Sequence, residues 1–296
     1  MEDGDITDWV LEPNGHIYAL ARRVLKYSDV TVPIEFGDTF IVHWDPSGKL
    51  VNQVRLALDA NGFSPTGLAL LAGGDYLIVG YTRIGDKIRV LAQSFGVNGG
   101  LMNKLDLGHD GTKASKGRTV RSKRVYHPMA VKANGLIYVL RGTTTEPVYV
   151  FSETGSLEGT LLLKYPGLEF DSPHIFKNDL IVHAHRPIAD NVPTFTFRSG
   201  PGRVDYPVFD LHTGEVVQEY YWNEETIGLV CYTRDVLTFI GQDVSSTPTV
   251  WAIFFAKPGR PMKQNDSRAK KVQNSRVLVA NWPRNQEPVA TPPHSR

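Results

Sequence analysis

Cysteine is nearly absent from this chain. The single one, Cys231, excludes an intrachain disulfide and a cysteine zinc cluster. It falls in an apolar strand pattern and reads as a small buried hydrophobe rather than a nucleophile. Long apolar runs are missing too: none reaches the roughly eighteen residues of a membrane-spanning helix. No core stretch sustains an apolar 3.6 period for three turns, which predicts almost no helix. Catalytic signatures are also lacking, with no G-x-S-x-G, no Walker loop and no H-E-x-x-H. Ser267-Arg268-Ala269-Lys270 matches S-x-x-K without its companion motifs, and Gly200-Pro201-Gly202 reads as a turn because no helix pattern follows it. The first residues, Met1-Glu2-Asp3-Gly4-Asp5, have neither the basic start nor the apolar stretch of a signal peptide. Read literally, they predict a cytoplasmic protein, or a periplasmic or secreted one if the true N-terminus lies upstream.

What is present is a repeated unit of short strands and tight turns. The clearest copy has His127-Pro128-Met129-Ala130-Val131, then Asn134-Gly135 and Leu136-Ile137-Tyr138-Val139-Leu140. Pro147-Val148-Tyr149-Val150-Phe151, Thr154-Gly155 and an apolar run over 157–163 complete it. That is four strands in about forty residues, the period of one propeller blade. Asn-Gly, the strongest short hairpin signal, recurs at Asn14-Gly15. Five such units are visible, beginning near residues 6, 64, 127, 171 and 227. The expected fold is therefore an all-β propeller of four-stranded blades over 1–257. Alternate apolar positions on its strands predict burial of Ile137, Val139, Val148, Val150, Leu180, Val182, Val208, Leu237 and Phe239. At 41% hydrophobic and 10% aromatic, the chain can fill such a core as a single domain.

Charge is balanced in total and uneven in place. Residues 257–296 carry nine basic and two acidic side chains, or +7, which leaves −6 on residues 1–256 out of a net +1. Residues 258–296, with Pro258, Pro261, Pro283, Pro288, Pro292 and Pro293, read as a disordered basic tail. One stretch within it, 276–282, has the apolar character of an outer strand for the fifth blade. A second basic cluster comprises Lys113, Lys116, Arg118, Arg121, Lys123 and Arg124, with no acid among them. Loop 113–124 and the tail are expected to be solvated or to meet an anionic partner. No aromatic side chain lies in 113–124 to stack on bases, which disfavours nucleic acid.

The strand order, the Asp45-Pro46-Ser47-Gly48 turn, the proline before a blade's first strand and the Gly135-Leu136-Ile137-Tyr138 type of second strand carry a resemblance. Over residues 6–256 the chain resembles the six-bladed NHL/TolB-like propellers, in detail exported bacterial propeller proteins of acidobacterial type. The resemblance implies six blades and a ligand-binding mouth at the ring axis. His127 and His174 adjoin prolines at blade starts and are the candidate ligand-binding residues. His183-Ala184-His185 places two imidazoles on one strand face, because side chains alternate with period two, and is the candidate metal pair. The expected function is a non-catalytic, monomeric binding scaffold for a protein or small ligand, without a cofactor. The alternative is a metal-dependent, lactonase-type hydrolase using calcium or zinc at the channel. Asp171, Asn134 and Asp235 supply suitable ligand types for it.

Overall fold

The computed structural model describes residues 4–26, 35–58, 62–84, 87–109, 128–165, 167–185, 206–220, 228–233, 236–243, 250–256 and 275–278. These residues form five four-stranded antiparallel sheets, each built from strands consecutive in sequence. The first contains β1 (Gly4–Leu11), β2 (Ile17–Lys26), β3 (Glu35–Trp44) and β4 (Leu50–Arg55). The second has β5 (Ser64–Leu70), β6 (Tyr76–Ile84), β7 (Lys87–Phe95) and β8 (Leu101–His109). The third has β9 (Met129–Ala133), β10 (Leu136–Leu140), β11 (Val148–Ser152) and β12 (Leu157–Leu161). The fourth has β13 (Glu169–Phe176), β14 (Asp179–His185), β15 (Tyr206–Asp210) and β16 (Val216–Tyr220). The fifth has β17 (Gly228–Thr233), β18 (Val236–Asp243), β19 (Val250–Ala256) and β20 (Ser275–Leu278). A single 3-10 turn, Ala72–Gly74, is the one helical segment among the described residues.

Turn chemistry explains why the strands fold back where they do. At the β9–β10 hairpin Asn134 has φ +52° and Gly135 φ +75°, the pair of positive angles that a two-residue type I′ turn requires. Asp45 organises the β3–β4 turn by accepting from the Ser47 and Lys49 backbone N–H groups and the Ser47 hydroxyl. Asp210 does the same for the β15–β16 turn through His212 and Thr213.

Contacts divide the chain into two compact units, Met1–Pro187 with Val208–Val216, and Ile188–Pro207 with Val217–Arg296. In the first unit the leading strands of four sheets, β1, β5, β9 and β13, lie side by side. Apolar layers fill the spaces between sheets. Leu20 and Ile41 of the first sheet pack with Leu68, Ile78, Leu91 and Phe95 of the second. Leu77, Val79 and Ala92 of the second pack with Ile137, Val139 and Phe151 of the third. Tyr138, Leu140 and Val148 of the third pack with Phe170, Leu180, Val182 and Phe209 of the fourth. Hydrogen bonds join neighbouring sheets as well: the Ala57 N–H donates to Gly99 O (2.9 Å) and the Lys164 N–H to Gly214 O (2.7 Å). In the second unit β17 to β20 form one sheet, in which Leu237 is fully buried.

Of the expected core positions, Ile137, Val139, Val148, Leu180, Val182, Val208 and Leu237 are buried. Val150 is only half-buried. It lies opposite Gly159 beside the irregularity in the β11–β12 pairing, and the next residue, Phe151, takes the buried place. The Phe239 and Cys231 side chains lie outside the described residues. No helix among the described residues is long and apolar enough to cross a membrane.

Candidate functional site

Three of the four leading strands of the first unit share an irregularity, while β9 pairs with β10 without one. Pairing with the second strand shifts between Ile6 and Asp8 in β1, between Pro65 and Gly67 in β5, and between Asp171 and His174 in β13. In the second unit β17 shifts between Leu229 and Cys231. Such bulges bend a strand and re-aim its side chains. Two of those in the first unit are spent on joining strands. The Asp8 carboxylate accepts from the Leu68 N–H of β5 (2.7 Å) and from the Trp9 N–H (2.9 Å). Burial pushes its pKa up to about 6, against the lowering effect of those two bonds. The Thr66 hydroxyl donates to Pro128 O just ahead of β9 (2.7 Å).

The third bulge is different. Two residues, Ser172 and Pro173, separate the paired positions of β13, and Ser172 holds φ +48°. A non-glycine residue at positive φ is strained, and such strain clusters at functional sites. Asp171 and His183 lie opposite each other across β13 and β14, with His183 Nδ1 3.1 Å from Asp171 Oδ1. Their side chains are 49% and 36% exposed. An ionised carboxylate only accepts, so Nδ1 carries the donated proton and Nε2 of a neutral ring is left as an acceptor. His174, beyond the bulge, is half-buried, and burial pushes its pKa below the usual value, which keeps it neutral.

The β10–β11 loop braces the start of β13. Backbone bonds run from the Phe170 N–H to Gly142 O (2.8 Å) and from the Thr144 N–H to Leu168 O (2.9 Å). The Thr144 hydroxyl donates to Tyr165 O (2.6 Å) and accepts from the Leu168 N–H (2.9 Å). Arg141, whose side chain is 5% exposed, pairs with Glu146 at 3.0 Å and anchors the loop to Leu107 O. A site on this support has a fixed backbone beneath it.

The candidates from sequence separate accordingly. His174 and His183 both flank the β13 bulge. His185 sits on β14 opposite Glu169, with its side chain outside the described residues. His127, Asp235 and loop 113–124 lie wholly outside them. Asn134 belongs to the other end of β13, where its side-chain N–H₂ donates to Lys177 O and Asn178 Oδ1. It braces two hairpins and does not approach Asp171 through β13. Among the described residues no group of three or more His, Cys, Asp or Glu side chains comes together as a ready metal site. The Arg141 anchor and the Thr144 brace were not legible in the sequence, because Leu107 O, Tyr165 O and the Leu168 N–H are backbone groups more than twenty residues away. Sequence reading also missed His16 Nδ1 lying 2.8 Å from His43 Nε2. Histidines beside the first and last turns of one blade were the available signal.

No family model matches the sequence, and no curated protein matches it. Among solved structures, similar chains include a protein provisionally described as a glycoside hydrolase from Parabacteroides distasonis, at 11% identity over 88% of each chain with a TM-score of 0.38. Another, provisionally described as a glycosidase, is from Bacteroides thetaiotaomicron, at 10% identity over 81% of this chain and 83% of that one, TM-score 0.39. A third is a glycosyl hydrolase from Bacteroides ovatus, at 14% identity over 88% of this chain and 86% of that one, TM-score 0.38. Likeness at this level transfers neither a reaction nor a substrate.

Proposed function

We propose that the protein is a non-catalytic binding scaffold that takes a small polar ligand at the β13 bulge. One observation carries this reading: the β13 bulge leaves a hydrogen-bonded carboxylate–imidazole pair half exposed, whereas those of β1 and β5 join strands. Asp171, with Glu169 two positions away on β13 and His174 held toward its neutral form by burial beyond the bulge, favours a ligand rich in hydrogen-bond donors, such as hydroxyl or ammonium groups. The braced backbone keeps the ordering cost of binding low.

The test is a thermal-shift panel of sugars, polyols, amines and amino acids on wild type and Asp171→Leu. A ligand that raises the melting temperature of wild type and leaves the variant unchanged is the expected result. The same samples are assayed on chromogenic esters, lactones and glycosides, with and without calcium or zinc. Metal-dependent turnover abolished by Asp171→Leu would replace the scaffold with the hydrolase reading, in which Asp171 orients the His183 ring as carboxylates orient metal-bound imidazoles.

A further inference from the structure

A second cluster lies in the first sheet, away from the β13 bulge. His16 follows the β1–β2 turn and His43 precedes the β3–β4 turn. Strands β2 and β3 run beside each other, with Tyr18 paired to His43. The two imidazoles therefore meet across the sheet, His16 Nδ1 2.8 Å from His43 Nε2, with ring centroids 5.0 Å apart and planes tilted by 45°. The Tyr18 ring lies flat against His43, at 4.1 Å between centroids and 10° between planes, and fixes the plane of that imidazole. The backbone beneath His16 is held by its own N–H donating to Asn14 Oδ1 (3.1 Å). Gly15 packs against Pro46, so the two turns are in contact. Glu12 and Asp45 flank the pair and act electrostatically on His43.

We propose that His16 and His43 form a two-imidazole chelate for a divalent transition-metal ion, zinc, nickel or copper, with water completing the coordination. Tetrahedral zinc with bonds of about 2.0–2.1 Å holds two imidazole nitrogens about 3.3 Å apart, so the rings need to part by only about 0.5 Å. The two nitrogens already lie within hydrogen-bond distance, and a tilt of the rings lets both lone pairs converge on one ion. One of the two facing nitrogens carries the shared proton while both rings are neutral; on metal binding that proton moves to the other nitrogen of its own ring, so that each ring offers a lone pair. The stacked tyrosine supplies the ring orientation that outer groups provide around metal-bound histidines. Imidazole ligands select transition metals over magnesium or calcium.

The experiment is calorimetric titration of the full chain with zinc, nickel and magnesium at neutral pH, for wild type, His16→Gln, His43→Gln, Tyr18→Phe and His183→Gln. One equivalent of zinc is expected to bind wild type, and magnesium is not. Either His16→Gln or His43→Gln is expected to weaken zinc binding by at least about tenfold. Tyr18→Phe keeps the stack and should keep the affinity, and His183→Gln should match wild type. Histidine ring NMR gives a second readout, since zinc should shift the His16 and His43 signals first. Should His43→Gln fail to fold, His16→Gln decides, because its side chain is borne on a turn. Zinc binding unchanged in His16→Gln, or no binding of zinc or nickel by wild type, would overturn the site. Loss of the same equivalent in His183→Gln would place the metal at the β13 bulge and overturn it too. Failure here leaves the thermal-shift result at Asp171 unaffected.

Discussion

Strands β5 and β13 hold the same place in their sheets and carry the same kind of bulge, yet they do opposite things. Along β5, Leu68, Ala69 and Leu70 are buried in succession, and the Thr66 hydroxyl is tied to Pro128 O. Gly67 lies so close to the next strand that a Cβ there would sit 2.6 Å from Val79 Cγ2 and 2.9 Å from the Ala130 nitrogen. Along β13 only Phe170 is fully buried, and the rest is half-buried or exposed. Its bulge holds a strained serine, a proline, a carboxylate and an imidazole. One position in the repeat is thus sealed to hold the scaffold, and the other is left polar and accessible. The residues in each bulge decide whether it is sealed or left exposed.

The comparison breaks most sharply with a buried charge. Leu68, 1% exposed, lies in the layer between the first two sheets. Leu68→Asp should destabilise by several kcal/mol, on the order of an unpaired buried charge, in chemical denaturation. Asp171→Leu on the half-exposed strand should change stability by less than about 1 kcal/mol. Similar losses from both would erase the distinction.

Gly67→Ala probes the close approach itself. The backbone nitrogen of Ala130 cannot move aside as a side chain would. A loss of about 2–3 kcal/mol is expected by the same denaturation measurement.

Asp8 gives the seam between β1 and β5 a pH signature. Its folded pKa, near 6, lies above the unfolded value of 3.8. The folded state therefore holds the proton more tightly. The stabilisation is fully present below about pH 4 and is lost as pH rises through 6, with a total of about 2 kcal/mol after allowing for partial exposure. Asp8→Asn should remove that slope from a stability–pH profile while keeping an acceptor for the Leu68 N–H.

The smallest effect is a gain. Ser172→Gly relieves a positive φ and should raise stability by about 0.5–1 kcal/mol in thermal denaturation, while loosening the bulge. No gain would mean that the serine is not strained.

How far the sequence foretold this follows from the range of each interaction. The hairpin at Asn134-Gly135 and the apolar run of β10 are local, and both stand where turn chemistry and alternation place them. The all-β class and the five units came from the same local signals. Bulges were not legible, because an extra residue exists only relative to a partner strand. Asp8 to Leu68 and Thr66 to Pro128 each span about sixty residues and have no sequence signature. His183 was singled out with His185 as a metal pair, but the described contact of its ring is Asp171. That pairing depends on the register of β13 against β14, which the Ser172-Pro173 bulge shifts. The half-burial of His174 follows from the strands packed around it, not from its adjacent proline.

The central claim is that the β13 bulge recognises a ligand while the β5 seam only holds strands together. Histidine ring NMR during titration with a ligand from the thermal-shift panel tests it most directly. Shifts of the His183 and His174 ring signals are expected in wild type, lost in Asp171→Leu and kept in Asp8→Asn. Binding that leaves those two rings unmoved, or that survives Asp171→Leu unchanged, would contradict it.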